Sequence, residues 1–192
     1  GYMEIPKDVA QGYTVMLSEL VEQLDGTVPT HVFVQGGVGG LASAVCGYFW
    51  DLWGEKRPRL VVVEPEKANC LQESARAGQP VVVDGDLDTL MAGLACGEVS
   101  ALAWQILATG GDDFMTLSEE TVPATMRLLA KGFGKDPAVE AGESAVPGLA
   151  AALLARQSAE FSEKLGLESD STVLVIGTEG ATDPELYQQL VG

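Results

Sequence analysis

Histidine is almost absent: His31 is the only one in 192 residues. A two-histidine zinc site, an HExxH helix and any mechanism needing two imidazoles cannot be built from this chain alone. Cysteine is scarce and odd in number. Cys46, Cys70 and Cys96 lie far apart, which matches neither a disulfide framework nor a CxxC metal site. Each sits among apolar neighbours and is expected to be a small buried spacer, a usage that points to a reducing, cytoplasmic setting. Positive charge is scarce too: 11 Lys+Arg stand against 28 Asp+Glu, a formal net charge of −17. Such a surface repels phosphate backbones and anionic lipid heads, which argues against nucleic acid and membranes as partners. No apolar run approaches the ~18 residues of a membrane span. No basic region followed by an apolar run opens the chain, so no secretion signal is expected.

What is present is an ordered, apolar sequence. Hydrophobic residues make up 46%, which excludes disorder as a global description. Four short β-branched runs, 30–35, 59–64, 81–84 and 172–176, lack clean alternation and are expected as parallel strands covered on both faces. Helical spacing is expected over 6–24, 40–53, 67–77, 87–96, 101–109, 118–130 and 148–157. Strands alternating with helices imply an α/β fold, a mostly parallel sheet with helices on both faces, in a single domain spanning 1–192. Glycine and proline mark two connected loops at 131–137 and 142–148. A helical pattern almost at Gly1, with no strand before it, is expected of a piece of something longer.

The strongest local signal is His31-Val-Phe-Val-Gln-Gly-Gly-Val-Gly-Gly40. A buried strand runs into four glycines in five residues, and an apolar helix follows. Glycines let backbone N–H groups approach a ligand with no Cβ in the way. A helix N-terminus adds unpaired donors and partial positive charge, which together suit a phosphate. No Lys or Arg occurs between Lys7 and Lys56, so an anion there would be held by backbone dipoles. Two ligands compete for this loop. Gly37, Gly39 and Ala42 satisfy a GxGxx(G/A) dinucleotide fingerprint, with Glu64 at the end of the next strand as a ribose acceptor. The alternative is a compact phosphate cup for a cofactor such as pyridoxal phosphate.

Longer blocks narrow the choice. Gln11-Gly-Tyr-Thr14, 30–40, Val63-Glu-Pro-Glu-Lys-Ala-Asn-Cys70, Met91-Ala-Gly-Leu-Ala-Cys-Gly-Glu98, Gly142-Glu-Ser144 and Val175-Ile-Gly-Thr-Glu-Gly-Ala-Thr-Asp183 together resemble the C-terminal half of the diaminopropionate ammonia-lyase family. That family belongs to the fold type II pyridoxal-phosphate enzymes typified by the tryptophan synthase β subunit. The resemblance implies an enzyme that takes the amino acid 2,3-diaminopropionate to pyruvate and ammonia, usually as a homodimer. It implies that Gly36, Gly37, Val38, Gly39 and Gly40 donate backbone hydrogen bonds to the cofactor phosphate. It further implies that Thr178 contacts the pyridine nitrogen and that Glu143, with Ser144, faces the cofactor. Helix capping before Pro147 is the plainer role for Glu143 and Ser144. The family's Schiff-base lysine and its acid/base residues lie in an N-terminal half that these blocks do not cover. None of the six lysines (Lys7, Lys56, Lys67, Lys131, Lys135, Lys164) sits in the expected motif, so the chain by itself is expected to be inactive and to need that other half. Related dehydratases or other lyases of the superfamily, and a purely structural module, stay open.

The remaining constellations read as structure. Asp84-Gly-Asp86-Leu-Asp88 and Gly111-Asp-Asp113 are expected turns, the first lacking the spaced ligands of a calcium loop. His31 opens a strand and is expected to be structural. Phe49, Trp50 and Trp53 form an apolar helix face suited to core or subunit contact.

Overall fold

The structure of the protein is a computed structural model, described for residues 4–192. In chain order the elements are α1 (Glu4–Gln23), β1 (His31–Gln35), α2 (Gly40–Trp53), β2 (Arg59–Pro65), α3 (Cys70–Ala77), α4 (Ala101–Gly110), β3 (Asp113–Leu117), α5 (Thr121–Lys131), α6 (Pro147–Gln157), α7 (Ala159–Leu165), β4 (Val173–Val175) and α8 (Pro184–Val191). The four strands form one sheet in the order β3-β2-β1-β4, parallel throughout, with His31 opposite both Arg59 and Val173. The α/β expectation holds.

Strand periodicity divides the core. Val32 and Val34 point to one face, where Leu17 of α1, Val45 and Phe49 of α2 and Leu107 of α4 cover them. Phe33, Val61 and Val63 point to the other, against Ala150, Ala151 and Ala155 of α6. The small residues of α6 allow a close approach: a Cβ on Gly148 would lie 2.7 Å from the Phe33 carbonyl oxygen. A third cluster joins Met91, Val122, Met126, Val146 and Tyr187 under α5 and α8. No helix among the described residues is long and apolar enough to cross a membrane.

Three expectations fail. Segment 81–84 is no strand; it makes one isolated antiparallel bridge, Val82 to Glu98. Four residues between Pro80 and Gly85, with Val82 largely exposed, bury too little to join the sheet. The fourth strand is instead β3, at an edge. Asp112 and Asp113, read from sequence as a turn, anchor it: Asp112 accepts from Arg57 Nη1 and from the Leu60 N–H, both at 2.7 Å, and Asp113 from Arg59 Nε at 2.6 Å. Arg57 in turn lies 4.4 Å from the Trp50 ring centroid, which accounts for that exposed indole. Segment 87–96 is no α-helix either. Leu87 takes φ +49° and only Ala92–Leu94 forms a 3₁₀ turn, because the backbone around Gly93 packs against the loop at 142–146. Helices α7 and α8, absent from the sequence reading, are short. Asp183 caps α8 by accepting from the N–H groups of Glu185 and Leu186.

His31 is structural, as expected: its Nε2–H donates to the Leu165 carbonyl at 2.8 Å. Substituting Gly148→Ala drives a methyl into the β1 backbone. Urea unfolding is expected to show a loss of about 1–3 kcal/mol from overpacking.

Candidate functional site

The site lies at the C-terminal end of the sheet, where β1 stands between β2 and β4. Chain connections leave in opposite directions there, and such a crevice is where open α/β sheets bind ligands. The glycine turn follows directly. Gly36 N–H still belongs to the sheet, donating to the Val63 carbonyl at 2.8 Å. A Cβ at Gly36 would sit 2.6 Å from Leu71 Cδ1 and 2.8 Å from Val62 Cγ1, so this position is a packing requirement and its donor is already committed. Gly39 takes φ +93°, open to glycine without strain, and a Cβ there would meet Leu71, Ala103 and Leu107 at 3.0–3.2 Å.

Between these two glycines the backbone changes function. Among the described residues, the N–H groups of Gly37, Val38, Gly39, Gly40, Leu41 and Ala42 donate to no oxygen acceptor; that of Val38 faces the Cys96 sulfur, a weak acceptor. The next N–H, of Ser43, returns to the Gly39 carbonyl at 2.9 Å and closes the first turn of α2. The Val38 carbonyl is tied to Ser100 N–H at 2.9 Å. A run of free donors at the positive end of a helix is an anion-binding arrangement that needs no basic side chain.

The facing wall comes from distant parts of the chain. Gln35, 4% exposed, donates through Nε2 to the Ile176 carbonyl at 2.9 Å and to Thr178 Oγ1 at 2.6 Å. Thr178 itself is exposed. Glu179 Oε1 accepts from Ser144 N–H at 2.7 Å, and Ser144 Oγ accepts from Gly93 N–H at 3.0 Å. A Cβ at Gly37 would lie 3.5 Å from the Gly93 carbonyl, which closes the ring of contacts. Glu143 is buried on the same loop. The capping role weighed for Glu143 and Ser144 does not occur, since α6 begins at Pro147 behind an uncapped Val146. Gln35, Gly93 and Glu179 were missed from sequence. Gln35 and Glu64 each carried a usable signal, a polar residue closing an otherwise apolar buried strand.

Glu64 takes another role than the ribose acceptor of a dinucleotide site. It is fully buried, and its two carboxylate oxygens accept from the N–H groups of Leu71 and Gln72 at 2.8 and 2.7 Å. It therefore caps α3 and is turned away from the turn's free donors. Burial pushes its pKa up to about 8, against the lowering effect of those two N–H groups. Burial likewise pushes Cys46 up to about 11 and Cys70 up to about 12, so both are inert spacers as expected. Cys96 is only partly buried. It lines a cavity of about 700 Å³ beside the turn, with Ile5, Val9, Val38, Gly40 and Ser100. All six lysines are exposed, and none lines that cavity. No cluster of three metal-ligating side chains occurs among the described residues.

Because the folded state holds the Glu64 proton that the unfolded chain releases near 4.5, stability falls as pH rises from 4.5 through about 8. Denaturant unfolding across that range is expected to show a shallower pH slope for Glu64→Gln than for the unaltered chain.

Residues 4–179 match the family model described as pyridoxal-phosphate dependent enzyme. The chain is 41% identical over 196 residues to diaminopropionate ammonia-lyase of Escherichia coli K12, covering 100% of this chain and 49% of the relative. The Salmonella typhimurium enzyme of the same name is 38% identical, with 100% and 50% covered. The crystal structure of the Escherichia coli enzyme in complex with an aminoacrylate–PLP azomethine reaction intermediate superposes with a TM-score of 0.92 at 39% identity, covering 100% of this chain and 50% of that one. The chain thus spans about half the length of the curated relatives it matches. A match across 4–179, on a parallel sheet that ends in a turn of free backbone donors, places this chain in the pyridoxal-phosphate dependent enzyme family.

Proposed function

We propose that the protein carrying this chain is a pyridoxal-phosphate-dependent ammonia-lyase that converts 2,3-diaminopropionate to pyruvate and ammonia. The observation that carries this reading is 41% identity along the whole chain to an enzyme of that name. The residues present fit the cofactor. Gly37, Val38, Gly39 and Gly40 offer free N–H groups to its phosphate; Gly36 supports the turn from behind and donates to Val63 instead. Thr178 offers a neutral hydroxyl to the ring nitrogen, and Glu143 lies on the loop that closes the same edge.

Pyridoxal phosphate, when bound, supplies an electron sink for negative charge developing at the substrate α-carbon. This chain's part is to bind and orient. The turn fixes the phosphate without a cation, and a neutral contact at Thr178 leaves the ring nitrogen free of an enforced proton. With every lysine exposed, the covalent anchor and the acid/base groups are assigned to the part of the enzyme that the chain does not span. That part is a required partner, and the chain alone is inactive. A homodimer is proposed from the family resemblance. A cytoplasmic location is supported by three free thiols.

Completing the chain with the N-terminal half of the Escherichia coli relative and adding pyridoxal phosphate is expected to yield pyruvate from 2,3-diaminopropionate, with none from the 192-residue chain alone. A folded, complete protein that releases no pyruvate would overturn the substrate assignment.

A further inference from the structure

The Gln35 side chain is oriented by chemistry rather than by fit. A carbonyl oxygen can only accept, so the amide edge facing the Ile176 carbonyl at 2.9 Å has to be Nε2. The same nitrogen lies 2.6 Å from Thr178 Oγ1. Both amide protons are then directed, one to each oxygen, and Thr178 Oγ1 acts as acceptor in that pair. The Thr178 hydroxyl proton is barred from the Gln35 direction, where it would meet another donor. Thr178 is exposed, so that proton is free to point outward. This orientation leaves Gln35 Oε1 buried with no partner among the described residues. An unpaired buried acceptor is costly, so a passive tie between β1 and the loop after β4 is a poor account of a glutamine here. An apolar side chain of the same length would remove that orphan but would release the Ile176 carbonyl and leave the Thr178 hydroxyl unoriented.

We propose that Gln35 is a positioning residue that holds Thr178 as a hydrogen-bond donor toward the ligand, and thereby selects a ring nitrogen that accepts over a ring position that cannot. This rests on the assignment of Thr178 to the ring nitrogen under the proposed function. It adds the residue that decides which partner Thr178 tolerates. Gln35 lies one residue before the packing glycine and pairs with Val63 in the sheet. The same strand end therefore aims the backbone donors at one end of the ligand and the hydroxyl at the other.

The test compares two probes on the 192-residue chain: pyridoxine 5′-phosphate, and its analogue with a ring C–H in place of the nitrogen. Neither carries an aldehyde to react with surface lysines. The unaltered chain is expected to favour the nitrogen-containing probe about fivefold, the worth of one neutral hydrogen bond. Thr178→Ser keeps that ratio. Gln35→Met and Thr178→Val each bring it close to one, and the double variant adds nothing further. Affinity for inorganic phosphate, held by the turn alone, stays unchanged in every variant and reports that the site remains folded. If Gln35→Met keeps the ratio while Thr178→Val loses it, Gln35 is structural only and the proposal falls. Equal affinity of the unaltered chain for both probes also overturns it. Failure to bind either probe overturns the cofactor reading itself. In ligand-free chain, Thr178→Val is expected to shift one Gln35 side-chain amide proton upfield in ¹⁵N-resolved spectra; no shift would remove the hydrogen bond on which the proposal stands.

Discussion

The site depends on where the β1 ladder stops. Gly36 N–H makes the last sheet bond, to Val63, and Ser43 N–H makes the first helical one, to Gly39. Six consecutive N–H groups lie between them with no oxygen acceptor among the described residues. Buried backbone donors are almost always paired, so a run of free ones at the end of a parallel strand is tolerable only at an edge open to solvent or ligand. The glycines make this geometry possible. Side chains at Gly36 and Gly39 would collide with Leu71 from two directions, pushing the turn away from α3 and closing the strand-to-helix corner.

Around that corner the protein uses buried polar groups as fixed anchors. Glu64 ends β2 and holds the start of α3, which supplies the Leu71 wall beneath the turn. Gln35 ends β1 and holds the segment after β4. Glu179 and Ser144 link that segment to the backbone at Gly93. The Glu64 contact is local, whereas those of Gln35, Glu179 and Ser144 join segments far apart in sequence, and together they bring four loops to one edge of the sheet. The acidity of the chain does not supply the anion's partners there; the free donors are backbone dipoles at a helix N-terminus, which need no basic side chain.

The fold class, three of the four strands and the glycine turn were legible because they rest on local signals: continuous β-branched runs and glycine next to an apolar helix. The misassigned elements rest on tertiary contacts. β3 is mixed in polarity and depends on two arginine–aspartate pairs more than fifty residues apart, whereas 81–84 looks like a strand locally and has nothing to pair with. Segment 87–96 has helical composition but gives its backbone to Ser144. Within the site, the turn was legible and its internal division was not: nothing local distinguishes the N–H of Gly36, which completes the sheet, from that of Gly37, which is free. Gln35 and Glu64 were visible as polar residues ending apolar strands, but only the packing shows that one faces the ligand edge and the other the inside.

The central claim is that the turn binds an anion through the backbone donors that follow Gly36. Titrating isotopically labelled chain with inorganic phosphate, and following the amide resonances of residues 36–43, tests this most directly. The account predicts that the amides of Gly37, Val38, Gly39 and Gly40 shift together along one binding curve while those of Gly36 and Ser43 stay in place. Saturable shifts centred on Gly36, or on residues outside the turn with 37–40 unmoved, would contradict it.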